Sequence, residues 1–215
     1  MSQRSKFSIP TPAKPLQAGG CLRLARALGV CAALSLVTLG GVQAATLEGQ
    51  HFEDTLVLGS HKLQLNGLGL RGVAWVKAFV AGLYVPSPSS DASQLLAETG
   101  ARRLRLKIML QAPSSELTKS LLRRVRRHET PETQARLADR LAQFAEQLDG
   151  LGELSPGDVV DMDYLPGKGL LLSRNGKAAG KPVAGDDLYR VVLQIFVGEH
   201  AIDPRMKQGL LGVPG

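Results

Sequence analysis

Residues 66–85, NGLGLRGVAWVKAFVAGLYV, limit the fold of this chain more than any other stretch. From position 70 to 85 the run is rich in Val, Leu, Ala and aromatics and is apolar at both parities. That pattern predicts a central strand pair buried on both faces. The rival is a buried helix. Gly67, Gly69 and Gly72 at its start, Gly82 inside it and the β-branched content favour strand.

The remaining elements read as short units around this pair. Residues 52–58 and 62–66 predict strands joined by a hairpin turn at Gly59-Ser60. Residues 91–99 predict a short helix ended by Gly100. Residues 103–110 alternate, with Leu104, Leu106, Ile108 and Leu110 on one face and Arg103, Arg105 and Lys107 on the other. This predicts a half-buried strand with a charged outer face. Ser114 or Ser115 caps a helix reaching to about His128, with Leu117, Leu121, Leu122 and Val125 as its apolar stripe. Thr130, followed by Pro131, opens another, striped by Leu137, Leu141, Phe144 and Leu148. Residues 159–165 and 170–174 predict a hairpin, and Asn175-Gly176 a further tight turn. Residues 187–197 predict a mostly apolar helix, and Asp203-Pro204 opens a short last one. The order β, α, β, αα, ββ, αα predicts an α+β fold: a mostly antiparallel sheet with helices on one face.

The formal charge of +7 over 215 residues points at first sight to nucleic acid or a membrane. Its source is the first 44 residues, which hold Arg4, Lys6, Lys14, Arg23 and Arg26 and no acidic group; the other 171 carry 21 basic groups against 19 acidic ones. A charge-free apolar run over 27–37 follows, then Val42-Gln43-Ala44 before Ala45. Small residues three and one before the cut are what signal peptidase accepts. Residues 1–44 are therefore expected to be a signal peptide and 45–215 the mature domain, secreted across the inner membrane into the periplasm. The rival reading keeps 27–45 as an anchor. Both cysteines, Cys21 and Cys31, fall in this segment, so no disulfide or thiol chemistry is expected in the mature chain.

Motif by motif, the common chemistries recede. Residues 67–72 fit G-x-G-x-x-G, but a dinucleotide fingerprint must open a helix, and this one opens a strand-like run. A glycine-permitted bulge or close backbone approach suits it better. There is no P-loop and no Gly-x-Ser-x-Gly, and His51, His61, His128 and His200 stand at no metal-ligand spacing, so no metal is expected. Asp161 and Asp163 alternate along one strand and are expected on its solvent face rather than converging as a glycosidase pair. Arg123, Arg124, Arg126 and Arg127, with Arg102 and Arg103, form the basic concentration. It reads as a solvated helix face, or as a peripheral contact with an anionic membrane or envelope protein. Nucleic acid is not expected, because no stacking aromatics interleave these arginines.

Arg71 is the residue most in need of a partner. At strand parity it shares a face with Val73, Trp75 and Phe79, and a lone guanidinium there is costly to bury. A bound carboxylate would satisfy it through a bidentate contact. So would an acidic side chain such as Asp163.

The stretch 66–85 resembles the Gly-x-Gly-x-Arg strand pair of the chalcone isomerase superfamily. VLQIFVGEHAIDPRMKQGL at 192–210 resembles its C-terminal pattern, and DYLPGKG at 163–169 is similar to the secreted bacterial branch. The resemblance implies an open-faced β-sandwich, helices layered on a large sheet and an apolar ligand cleft between them. The plant enzymes cyclise a chalcone without a cofactor, and their arginine corresponds to Arg71, which would stabilise charge in the transition state. Their polar threonine, tyrosine, asparagine and Ser/Thr fall at or near Phe79, Ser114, Leu121 and Ile195. Only the arginine among these polar groups is kept. Non-catalytic relatives bind fatty acids through the arginine.

These residues yield three expectations. The leading one is a non-catalytic binder of a small amphiphilic carboxylate such as a fatty acid, with no cofactor. Arg71 would hold the head, and Trp75, Phe79 and Ile195 the tail. The second is an isomerase or intramolecular lyase using Arg71, with Tyr84 or Tyr164 as proton donor. The third is an envelope interaction protein acting through the arginine-rich helix.

Overall fold

The computed structural model describes residues 44–73 and 75–213. The expected signal peptide, save Ala44, and both cysteines lie outside the described residues. The chain opens with a hairpin, β1 (Ala44–Leu47) and β2 (Gln50–Glu53), followed by β3 (Thr55–Leu58), β4 (His61–Val73) and β5 (Val76–Val85). The segments read as two strands at 62–66 and from 70 merge, so the glycines at 67, 69 and 72 lie inside one long β4. Two irregularities in register, between Leu65 and Gly67 and between Arg71 and Gly72, let it bend against β5.

After α1 (Ala92–Ala97), capped by Asp91, come β6 (Arg102–Ile108) and the two-residue β7 (Ala112–Pro113). The helices α2 (Ser115–His128) and α3 (Pro131–Asp149) then pack side by side. Thr130 caps α3 as its sequence predicts, whereas Ser114 precedes α2 without a side-chain cap and instead donates its hydroxyl to the Asp149 carbonyl. The chain finishes with β8 (Glu153–Leu154), β9 (Val159–Leu165), β10 (Gly169–Arg174), β11 (Lys177–Ala178), α4 (Asp186–Val197) and α5 (Pro204–Leu210). Asn175 and Gly176, with φ of 53° and 76°, make the tight turn before β11.

The main sheet is antiparallel, in the order β11-β10-β9-β6-β5-β4-β3. Along β5 the two parities serve two layers. Phe79, Ala81, Leu83 and Val85 face the helices, while Val80 and Tyr84 join Phe52, Leu58 and Leu63 on the opposite face. Gly82 makes that second layer possible: a Cβ there would lie 2.6 Å from the Phe52 ring. The apolar-at-both-parities signal thus reports real burial on both faces.

The charged outer face expected for β6 is not solvated. Arg103 and Arg105 bind Asp163 and Asp161 of β9 through bidentate contacts, and both aspartates are buried rather than on a solvent face. Arg102 is fully buried, lies 4.9 Å from the ring centres of Tyr164 and Tyr189, and pairs with Asp186. Leu110, expected inward, is exposed because β6 ends at Ile108 and the alternation stops.

Candidate functional site

Between the helices and the sheet lies a cavity of about 330 Å³. Its floor is Phe79 of β5, Ile108 of β6 and Met162 of β9. Its walls come from Leu117 and Leu121 on α2, Phe144 and Leu148 on α3, and Val192, Ile195 and Phe196 on α4. Among the described residues, the charged or hydroxyl side chains lining it are Arg71, Glu116 and Ser120. A space this apolar, with few polar groups, suits a ligand oriented by its head and held by its tail.

Arg71 stands opposite Phe79 in the β4–β5 register, so both project to the cavity side. Its Nη1 donates to Asp203 Oδ2 at 3.1 Å and to the Gly72 carbonyl at 3.3 Å. The internal partner suggested by sequence, Asp163, is instead held by Arg103. Asp203 is placed by its own local chemistry: it is the N-cap of α5, and its Oδ1 accepts from the backbone N–H groups of Arg205 and Met206. The helix it starts lies hard against β4. A Cβ on Gly69 would sit 2.4 Å from the Met206 carbonyl, and one on Gly209 2.2 Å from the Leu68 carbonyl. Gly67 and Gly69 of the G-x-G-x-x-G stretch therefore form a seam for a helix.

Of the four residues expected at the ligand, the structure brings Arg71, Phe79 and Ile195 together on this cavity. Trp75 is not among them. It sits in the turn between β4 and β5, 90% exposed, because the shared parity with Arg71 ends where β4 ends. Leu121, aligned with a polar residue of the plant enzymes, lines the cavity, but Ser114 does not. The two candidate proton donors also lie elsewhere. Tyr84 belongs to the layer on the other face of the sheet, and burial raises its phenol far above the ordinary value. Tyr164 packs beside Arg102.

The arginine-rich helix divides. Arg123, Arg126 and Arg127 are exposed, while Arg124 turns inward and donates to the His200 carbonyl. Burial, then the charges of Arg71 and Arg127, lower the Arg124 pKa. Arg102 and Arg103 belong to the sheet and lie mostly buried, so they add nothing to that surface. His128 and His200, distant in sequence, stack at 4.3 Å. Among the described residues no group of three or more His, Cys, Asp or Glu is placed to hold a metal ion. The site residues that sequence reasoning missed are Glu116, Ser120 and Ile202 on the cavity and Asp203, which does not line it but holds Arg71 at its edge. For Asp203 the capping signal was readable, but its contact with Arg71 spans 132 positions.

A large antiparallel sheet with helices on one face, enclosing a mostly apolar cavity edged by one guanidinium, defines an open-faced sandwich. The chain belongs to the chalcone isomerase-like family, whose model matches residues 44–212. Among solved structures it is similar to the Arabidopsis thaliana fatty-acid binding protein, with a TM-score of 0.62 and 16% identity over 79% of this chain and 96% of that one. At that identity the likeness establishes the fold. No curated protein sequence matches the chain significantly.

Proposed function

We propose that this chain is a non-catalytic binder of a small amphiphile such as a fatty acid, with the tail in the cavity and the head at Arg71. The observation that carries this reading is the placement of one guanidinium at the edge of a cavity whose lining is apolar apart from Glu116 and Ser120. The protein of similar fold named a fatty-acid binding protein supports it. Phe79 and Ile195 would contact the tail. The charge-free run at 27–37 and the Val42-Gln43-Ala44 site support export, with residues 1–44 removed and the domain working in the periplasm.

Calorimetric titration of the purified chain with decanoate tests the binding. Arg71→Ala should weaken it by about tenfold or more, the value of a charge-assisted contact. Unchanged affinity in Arg71→Ala would remove Arg71 from the site, and a wild type that binds neither decanoate nor decanol would overturn the reading. The mass of the chain recovered from the envelope fraction tests export, since cleavage leaves Ala45 as the first residue.

A further inference from the structure

Arg71 does not present a free charge to the cavity. Its Nη1 is already paired with Asp203, and the two side chains are only 25% and 17% exposed. A ligand carboxylate arriving there meets a cation already paired with one carboxylate, and Arg124 is a further positive charge felt by Arg71. Two carboxylates at one site repel, and more strongly where water is partly excluded.

Asp203 is also held where it is. Its Oδ1 caps α5 with contacts of 2.9 and 3.2 Å, so moving the side chain away from Arg71 gives up the cap as well. The helix itself is fixed against β4 by the glycine seam. Arg71 nevertheless keeps hydrogen-bonding capacity, since among the described residues its Nε and Nη2 donate to no protein acceptor. A head group that accepts a hydrogen bond without bringing a charge meets a willing donor and no opposing carboxylate.

Resting on the reading that an amphiphile places its head at Arg71, we infer that Asp203 selects the head group. It holds carboxylate affinity down and favours uncharged oxygen acceptors, such as an alcohol, an ester or amide carbonyl, or a protonated acid. Asp203 is thus a specificity-determining residue acting through Arg71, and its capping role keeps the opposing charge in place.

Asp203→Asn separates the two roles. Asparagine caps helices as well as aspartate does, so α5 keeps its first turn while the charge disappears. Serine, a comparable cap, provides a second variant should the first fold poorly. Binding of decanoate and of decanol is measured by calorimetry at pH 8. The wild type should bind decanol at least as tightly as decanoate. In Asp203→Asn, decanoate should tighten by about tenfold while decanol changes by less than about twofold. Adding Arg71→Ala to that variant should erase the gain. If the wild type binds decanoate and neither variant tightens it, or if both ligands tighten together, Asp203 does not select. If neither ligand binds any of these proteins, the amphiphile reading fails and this inference with it.

Discussion

Arg103 and Asp163 stand opposite each other on β6 and β9, as do Arg105 and Asp161. The Arg103–Asp163 contacts are both 2.6 Å, and the side chains are 15% and 11% exposed. Burial pushes the Asp163 carboxyl up, and the Arg103 hydrogen bond and charge oppose it. Breaking such a pair on one side leaves a buried charge without its partner. Arg103→Met should therefore cost about 3–5 kcal/mol in urea unfolding, while Arg103→Met with Asp163→Leu should recover most of that. A single-variant cost under about 1 kcal/mol would class the pair with exposed ones. The alternation along each strand was legible in the sequence, and each strand alone reads as having a solvent face. The pairing of β6 with β9, more than fifty positions apart, sets those charged side chains beside one another on one face of the sheet, and nothing local to either strand announces it.

At the scale of elements, the seam between β4 and α5 fixes the floor on which Asp203 is mounted. At Gly67, Gly69 and Gly209 the nearest atom to an added Cβ is a backbone carbonyl oxygen, which cannot swing aside even where, at Gly69, the Met206 side chain also lies close. Gly69→Ala should destabilise the protein by about 1–3 kcal/mol, the usual cost of forcing atoms into a packed contact. It should also weaken the Arg71–Asp203 pairing, because α5 must move outward to admit the Cβ. Thermal unfolding with decanoate titration on the same variant checks both effects. An unshifted melting temperature would mean that α5 is not packed tightly on β4. Dense glycine inside an apolar run signalled a close approach; which element approached was not legible, since α5 lies over 130 positions away. The β4–β5 register, which pairs Arg71 with Phe79, puts those two on one face; strand parity has no meaning across the turn between the two strands, so it met Phe79 by coincidence and misplaced Trp75.

For the whole molecule, the two faces of the sheet have different fates. On the second face Phe52 is seated on Gly82 and the charges of β6 and β9 pair with each other, whereas on the helical face α2, α3 and α4 leave the mostly apolar 330 Å³ cavity. That volume is at the small end of ligand sites, which run from roughly 300 to 1,000 Å³. With about 30 Å³ for each water-sized group, it admits about ten methylenes. Each buried methylene contributes about 0.8 kcal/mol, which is about fourfold in affinity. Across the straight-chain acids from hexanoate to hexadecanoate, binding should tighten by about that factor per carbon and level off at about ten carbons. Beyond that length the chain end has to emerge at the rim, where Leu110 is already 43% exposed, and adds little. Calorimetry on this series reads the break directly. A rise continuing unbroken to hexadecanoate would mean that α2 and α4 part to admit the tail. A flat series would mean that the tail never enters the cavity, leaving Arg71 to bind its partner from outside.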